Sequence, residues 1–162
     1  MLVKASLPTW FRNFVKGSLS SVKVSPFFGG ELTDWIDIHR GVKQGCPLSP
    51  LLFIIAYDPL LHALSSSSLV GIKAFAFADD LALFVKSVAA ISPALRMISA
   101  FSDVSGLGVN KDKSAAIPTA DPSHWAEIRG SLAVCPWPDL PLKESGTHLG
   151  ILIGREVTLK HL

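Results

Sequence analysis

The stretch that most restricts the fold of this chain is IKAFAFADDLALFVK, residues 72–86, where apolar side chains alternate on both sides of two adjacent aspartates. Alternation with a period of two is typical of β-strands, and aspartate tolerates the backbone geometry of a turn. We therefore expect a β-hairpin with Asp79 and Asp80 as its two turn residues.

In that register Phe77 lies opposite Ala82, and Phe75 lies opposite Phe84. Both faces of the hairpin are then apolar, which predicts burial on both sides, while two carboxylates repel one another at the tip. Two explanations remain open. The tip is either a turn that happens to use aspartate, or a rigid mount for a hard divalent cation in two-metal phosphoryl transfer.

Composition indicates a folded protein, because 49% of the 162 residues are apolar and 17% are charged. The length predicts one domain over residues 1–162. The apolar run LLFIIAY ends at Asp58, well short of the ~20 residues that cross a bilayer, so no membrane partner is expected. The first residues lack the apolar core and cleavage site of a secretory signal, which favours an intracellular protein without separating nucleus from cytoplasm.

Net charge and cysteine content say little about the function of the chain. A net charge of +2 permits nucleic acid as a partner without arguing for it. Cys46 and Cys135 stand alone, without a second cysteine or a histidine at metal-ligand spacing, so neither a disulfide framework nor a zinc site is expected. This usage favours a reducing compartment.

Helix and hairpin patterns alternate along the rest of the chain. Before the second hairpin, the predicted elements are a helix after Pro8 that stops at Gly17, strands at 21–27 and 31–39 around Gly29 and Gly30, and a buried helix with Ser49 as its N-cap. After that hairpin, we expect a helix from Ser92 to Gly106 and a short strand at KSAAIP. The segment after Pro118 is expected to be rich in loops and to end in a last strand at HLGILIG.

The order of four motifs then points to a family. The loop RGVKQGCPLSP, the hairpin core FADD, the segment GLGVNKDKS and the triplet HLG follow one another as in the palm of reverse transcriptases. The chain most closely resembles the palms of non-LTR retrotransposons and group II introns, whose loop reads R-G-V-x-Q-G-x-P-L-S-P. The resemblance implies an α/β (α+β) fold, a partial polymerase palm with an antiparallel sheet and helices packed on one face.

The resemblance also implies roles for individual residues. Asp79 and Asp80 would be the metal ligands, Asp80 either directly or in close support, for two Mg²⁺ or Mn²⁺ ions. Lys113 would be a cation near the leaving pyrophosphate, with a solvated lysine as the alternative. The positions matched to nucleotide or template binding are Arg40, Gly41, Gln44, Gly45, Pro47, Ser49, Phe77, Ala78 and Asn110.

Other conspicuous residues favour structural roles. His148 matches a position of the family's primer-grip hairpin that is usually aromatic. Trp35, Trp125 and Trp137 can stack on bases, although scattered tryptophans are more often core or rim residues. The remaining histidines lack metal-ligand spacing and are expected to be surface or structural residues; they are His39, His62, His124 and His161.

A family carboxylate motif expected before the first helix has no counterpart in this sequence, and Asp34, Asp37 and Asp58 do not replace it. We therefore expect a fragment of an RNA-directed DNA polymerase, inactive by itself and weak in metal binding, whose partners in a complete enzyme are an RNA template, a DNA primer and dNTPs. The alternative is a non-catalytic remnant that binds nucleic acid or protein. A metal-dependent phosphohydrolase would not require RGVKQGCPLSP. Loss of a neighbouring strand would leave an apolar edge and favour self-association.

Overall fold

The computed structural model describes residues 7–38, 41–42, 45–66, 71–119 and 121–155. The chain separates into two compact units, Met1–Pro59 and Leu60–Leu162. The described helices and strands, in chain order, are α1 (Thr9–Leu19), β1 (Lys23–Val24), β2 (Phe27–Phe28), β3 (Glu31–Leu32), β4 (Ile36–Asp37), α2 (Ser49–Ser66), β5 (Ile72–Phe77), β6 (Asp80–Val85), α3 (Ile91–Ser105), α4 (Trp125–Ala133), β7 (Ser145–His148) and β8 (Ile151–Gly154).

The first helix forms where the sequence predicts it but ends later. α1 begins directly after Pro8, whose fixed φ suits a helix start, and runs past Gly17 to Leu19. Glycine inside a helix costs about 1 kcal/mol relative to alanine, which a helix with a buried side chain tolerates. Val15 provides that burial at 2% exposure. The predicted stop at Gly17 is therefore wrong by two residues.

The hairpin around Gly29 and Gly30 is confirmed, but its strands are shorter than predicted. β2 pairs with β3 across the two glycines, whose φ angles of 63° and 91° are those of a type I′ turn. β1 pairs with β4 further from the turn. Pro26 lies between β1 and β2, and a proline has no N–H with which to continue a ladder. His39, at the end of the predicted second strand, lies outside the described residues.

The helix α2 begins at Ser49, within one residue of the predicted cap, but it is not buried all round. Leu52 and Leu64 are buried, while Leu51 and Ile54 are largely exposed. The helix therefore has one apolar face turned to solvent in the described part of the chain. No described helix has the length and apolarity that crossing a membrane requires.

The core of the second unit lies between α3 and α4. α3 ends as predicted at Gly106, whose φ of 73° is the left-handed geometry that glycine adopts without a steric penalty. Its buried side chains include Leu95 and Ile98, and α4 contributes Ile128 and Leu132. The Ser131 hydroxyl also donates a hydrogen bond to the Val88 carbonyl at 3.2 Å, which ties α4 to the turn before α3.

Three predictions for the segment after α3 are wrong. The loop-rich tail contains α4, which follows a short turn opened by Asp121 and Pro122. The predicted strand KSAAIP is only a single bridge, in which Ala116 pairs in parallel with Leu142. The final predicted strand is instead a hairpin, β7 paired with β8, and HLG contributes its turn.

The fold is mixed α/β with antiparallel strand pairs, as predicted. Within the described residues these pairs form four separate two-stranded ladders. Each ladder is thus a pair of strands joined within itself rather than part of a larger sheet of the described residues.

Candidate functional site

The two aspartates lie at the end of a six-residue ladder, here called the carboxylate hairpin (β5 and β6). Phe77 pairs with Asp80, and Ile72 pairs with Val85 at the open end. The turn residues are therefore Ala78 and Asp79. The predicted register, with Asp79 and Asp80 both in the turn, is wrong by a shift of two residues, because Asp80 is the first residue of β6.

Ala78 takes an unusual backbone conformation for this turn. Its φ of 50° lies in the left-handed region. That region costs an L-residue roughly 1–2 kcal/mol, so the surrounding ladder must offset the cost. The turn projects Asp79 outside the ladder, while Asp80 keeps a strand position opposite Phe77.

One face of the carboxylate hairpin is exposed and aromatic. Phe75, Phe77 and Phe84 have relative exposures of 57%, 67% and 50%. Phe75 and Phe84 meet edge to face, with ring centroids 5.6 Å apart. On the opposite face Ile72 and Leu83 are half-buried, and Ala76 near the turn is exposed. The prediction of burial on both faces is thus wrong for the aromatic face.

The donor atoms at the tip suit a hard cation. Both Asp79 and Asp80 are exposed, and their adjacent carboxylates supply the oxygen ligands that Mg²⁺ and Mn²⁺ prefer. Among the described residues no group of three or more His, Cys, Asp or Glu side chains could hold a metal ion. The tip can therefore contribute two ligands, which is too few to enclose an ion.

The loop motif at residues 40–50 belongs to the first unit and is described in part. Gly41 and Gly45 have φ angles of 91° and 80°, which only glycine adopts without strain. The Ser49 amide donates to the Cys46 carbonyl at 3.0 Å, which turns the loop into α2. Pro47 is exposed at that turn. Arg40 and Gln44 lie outside the described residues.

The segment GLGVNKDKS forms a compact turn around Asn110. The Asn110 side-chain oxygen accepts a hydrogen bond from the Lys113 amide at 3.2 Å, and the Ser114 hydroxyl donates to the Asn110 carbonyl at 2.8 Å. Asn110 thus has a structural role as the cap of the turn Lys111–Lys113. Lys113 is exposed, so its ammonium group remains available to an anion.

The fourth matched motif, HLG, contributes the turn of the hairpin formed by β7 and β8, here called the C-terminal hairpin. Leu149 and Gly150 are its turn residues, with φ angles of 51° and 80°, and His148 pairs with Ile151. Positive φ at both positions is the type I′ geometry. His148 is half-buried in the ladder.

The tryptophans divide between core and surface. Trp137 is buried, and Trp125 is half-buried at the start of α4. Trp35 is exposed and lines a shallow groove of about 410 Å³ in the first unit, together with Val22 and Lys23. Of the three, only Trp35 is open to a stacking partner.

The histidines have local partners or fall outside the described chain. The Ser66 hydroxyl lies 3.3 Å from Nε2 of His62, and the Ser123 hydroxyl lies 3.2 Å from Nδ1 of His124. Both histidines are exposed, which agrees with the surface or structural roles expected of them. His161, like His39, lies outside the described residues.

Sequence reasoning missed a polar cluster at Asp121. One carboxylate oxygen accepts from the Ser123 amide at 3.1 Å, and the other accepts from the Arg155 guanidinium at 3.2 Å. The Ser123 backbone bond, the Ser123 side chain and the Arg155 charge together lower the pKa of Asp121 below its ordinary value of 3.8. The sequence signal that could have predicted this cluster is a helix start: Asp121 and Pro122 precede apolar residues at helical spacing, Trp125, Ile128 and Leu132.

Comparison with known proteins covers most of the chain. A family model described as "Reverse transcriptase (RNA-dependent DNA polymerase)" matches residues 2–140. The chain is 38% identical over 119 residues to a Pol polyprotein from type-1 retrotransposable element R2 of Popillia japonica, covering 67% of this chain and 16% of that protein.

Two further relatives are also retrovirus-related Pol polyproteins of R2 elements. One, from type-2 element R2DM of Drosophila melanogaster, is 43% identical over 81 residues, which is 46% of this chain and 8% of the relative. Another, from type-1 element R2 of Nasonia vitripennis, is 34% identical over 111 residues, covering 65% of this chain and 11% of the relative. The chain thus spans less than a fifth of these relatives' lengths, and it belongs to the reverse transcriptase (RNA-dependent DNA polymerase) family.

Proposed function

We propose that this chain supplies the carboxylate hairpin of an RNA-directed DNA polymerase of retrotransposon type, acting within the cell on an RNA template, a DNA primer and dNTPs. Family membership implies divalent metal use and a nucleic acid template and primer. The observation that carries the proposal is the exposed tip, where Asp79 occupies the turn and Asp80 the adjacent ladder position.

Nucleotidyl transfer spreads negative charge over phosphoryl oxygens, and bound divalent ions stabilise that charge. The contribution of this chain is to hold two carboxylates at a fixed spacing. The position of Asp80 is set by its ladder pairing with Phe77. The position of Asp79 is set by the turn that Ala78 begins with its positive φ. Lys113, Gly41 and Gly45 are proposed to act at phosphate or template, as their motifs suggest.

The isolated chain is proposed to be inactive and to bind metal weakly. Two carboxylates leave most of the coordination of Mg²⁺ to water, and Mg²⁺ gives up its hydration shell reluctantly. The described residues offer no third acidic, histidine or cysteine ligand near the tip. Nothing in the described part then fixes a second metal at the ~3.5–4 Å separation of two-metal sites.

Primer extension tests this proposal. The isolated chain should not extend a primer on an RNA template with dNTPs and Mg²⁺ or Mn²⁺. A fusion behind the upstream region of the Popillia japonica relative should extend it. Asp79→Asn in the fusion should lower extension by at least about 100-fold, because lost Lewis-acid stabilisation is worth several kcal/mol.

The matched control is Asp103→Asn in the same fusion, since Asp103 is an exposed aspartate of α3 in the same unit. Its activity should stay at that of the unmodified fusion. Extension by the isolated chain that Asp79→Asn abolishes would contradict the inactivity claim. An active fusion that tolerates Asp79→Asn would contradict the proposed role of the hairpin.

Exposed aromatic rings support a second candidate, a non-catalytic module that binds nucleic acid or protein. Phe75, Phe77 and Phe84 offer an exposed apolar face on the carboxylate hairpin. Under the first proposal, fluorescence anisotropy with a primer–template should give weak binding that falls steeply with salt, because phosphate contacts supply most of it. Tight binding by the isolated chain that persists at high salt would favour the second candidate.

The same hairpin supports self-association. Neither β5 nor β6 pairs with any other described strand, so both edges of the ladder are open in the described part of the chain. Open apolar edges template further pairing. Sedimentation at tens of micromolar should reveal oligomers that Ala76→Lys disperses. A stable monomer without that substitution would contradict the proposal.

A further inference from the structure

The apolar alternation of the carboxylate hairpin permits two registers. In the observed one Phe75 lies opposite Ala82 and Ala74 opposite Leu83. A shift of two residues would instead pair Ala74 with Val85. Because side chains alternate with a period of two, that shift leaves every side chain on its original face. The hydrophobic pattern alone therefore does not select the register.

Turn chemistry favours the register that is not observed. The observed turn forces Ala78 to a φ of 50°, which alanine adopts at a steric cost. The shifted register would place Asp79 and Asp80 in the turn, and aspartate tolerates left-handed geometry better than alanine does. Something outside the turn must therefore hold the strands in the observed pairing.

Residues at the open end of the hairpin favour the observed register over the shifted one. The Lys86 amide donates to the Gly71 carbonyl at 2.9 Å, and Lys73 lies opposite Phe84. A shift of two residues would bring Lys73 directly opposite Lys86. Side chains in direct opposition have Cβ atoms about 4.5–5.5 Å apart, against about 7–8 Å for diagonal neighbours, so the two ammonium groups would repel more strongly.

Gly71 also favours the observed register. Its φ is 93°, and a Cβ at this position would lie 3.0 Å from Cβ of Lys86. Only glycine combines that backbone geometry with so close an approach to the opposite strand. The pairing of Gly71 with Lys86 thus belongs to the observed register alone.

We infer that Gly71, Lys73 and Lys86 are positioning residues that hold the carboxylate hairpin in register, with Asp79 in the turn and Asp80 in the ladder. The catalytic meaning of this placement rests on the proposed function, whereas the register itself is measurable without any activity. Residues at the open end, remote from the carboxylates along both strands, thereby determine where the metal ligands lie.

The experiment is nuclear magnetic resonance of the full chain labelled with ¹³C and ¹⁵N. Cross-strand contacts between Ala74 and Leu83 report the observed register, and contacts between Ala74 and Val85 report the shifted one. The unmodified chain should give the first set. Gly71→Ala combined with Lys86→Glu should raise the ratio of shifted to observed contacts at least about tenfold, from relief of repulsion and strain at residue 71.

The effect of salt on the fraction of the shifted register should have opposite signs in Lys86→Glu and in the unmodified chain. A general loss of stability would not produce that difference. Salt screens exposed charges. Lys86→Glu alone turns repulsion in the shifted register into attraction, so its shifted fraction should fall as salt rises. In the unmodified chain the repulsion is screened, so its shifted fraction should rise. Lys73→Glu makes the same reversal on the other strand and serves if the double variant does not fold.

Two controls separate charge from perturbation. Lys86→Arg should keep the observed register, and so should Lys143→Glu, which reverses an exposed lysine of the same unit outside this hairpin. Adding Ala78→Gly to the double variant should restore the observed register, because glycine removes the cost of the turn. Unchanged contacts in both the double variant and Lys73→Glu would overturn the inference.

Extension assays keep this inference distinct from the proposed function. A shifted register in Lys86→Glu with unchanged extension by the fusion protein would contradict the positioning role while leaving the register claim intact. Loss of extension in Asp79→Asn with no register change in any variant would support the proposed function and overturn the inference.

Discussion

The carboxylate hairpin and the C-terminal hairpin have the same local form but are specified differently. Each is a two-stranded antiparallel ladder closed by two turn residues, and the first of these is a non-glycine residue with positive φ, 50° at Ala78 and 51° at Leu149. They differ at the second turn position. Gly150 has a φ of 80°, whereas Asp79 does not share that left-handed geometry.

Contacts with the rest of its unit hold the C-terminal hairpin. The Lys143 amide donates to the Ala116 carbonyl at 2.9 Å, and Arg155 pairs with Asp121 at 3.2 Å. Gly146 lies so close to Ile117 that a Cβ there would meet its Cδ1 at 2.9 Å. Neighbouring residues thus fix this hairpin, whereas we infer that the carboxylate hairpin is fixed by residues at its own open end.

The largest expected effect is at Gly154 in the C-terminal hairpin. A Cβ there would lie 2.7 Å from the Glu144 carbonyl oxygen and 2.9 Å from Cα of Ser145, so backbone must shift. Gly154→Ala should lower the free energy of unfolding by about 1–3 kcal/mol, measured by urea titration. Gly130→Ala in α4, where a Cβ meets open space, should raise it by up to about 1 kcal/mol. No loss at Gly154 would contradict the close strand contact.

Gly71→Ala tests the open end of the other hairpin. Its positive φ and the 3.0 Å approach to Lys86 both penalise a side chain. Unfolding free energy should fall by about 1–2 kcal/mol. Gly108→Ala should be nearly neutral, because Gly108 faces open space and is not held at positive φ. Equal effects of the two substitutions would remove the argument for a special role of Gly71.

Glycine at the first turn position should stabilise both hairpins. Ala78→Gly and Leu149→Gly each remove the steric cost of a left-handed L-residue, about 1–2 kcal/mol. Against this gain, glycine loses more conformational entropy on folding, which costs about 0.5–1 kcal/mol. The expected net gain is up to about 1 kcal/mol in thermal or urea unfolding. Ala100→Gly, within α3, should instead lose about 1 kcal/mol. A loss at Ala78 would mean that its methyl group makes a contact worth more than the strain.

The smallest effect is the pH dependence contributed by Asp121. Because folding lowers the pKa of this carboxyl, its contribution is complete above the ordinary value of 3.8 and is lost as pH falls through the lower, folded value. Asp121→Asn should therefore flatten the stability profile below about pH 4 and leave its shape at neutral pH unchanged. Asp139→Asn is the matched exposed control. Identical acid profiles for Asp121→Asn and the unmodified chain would show that Arg155 and Ser123 contribute nothing through this group.

The sequence predicted features that depend on one residue type at one position. Gly106 ends α3, and Gly29 with Gly30 turns the first hairpin, because left-handed backbone geometry has few alternatives to glycine. The carboxylate hairpin was also predicted as an element. Its register was not, because the two candidate registers place the same side chains on the same faces, and the turn residues alone favour the register that is not observed.

Competing local signals explain the missed helix. Pro122, Pro136 and Pro138 made the tail look like loop, yet Pro122 lies before α4 and the other two lie beyond it. A proline at a helix start is favourable, so the position of each proline mattered more than their number. For the site, sequence motifs singled out Asn110, but they did not indicate that its side chain accepts a hydrogen bond from the Lys113 amide, because that contact depends on the fold of the turn.

The bridge between Ala116 and Leu142 closes the whole segment between them into a loop, with backbone hydrogen bonds at its base. Lengthening a closed loop costs little, about 0.6 kcal/mol for each doubling. Pro138 and Asp139 are exposed within it, beyond the buried Trp137. A fluorescent or affinity label inserted between Pro138 and Asp139 should therefore leave both hairpins intact, which makes this junction a practical attachment point for single-molecule work on the chain.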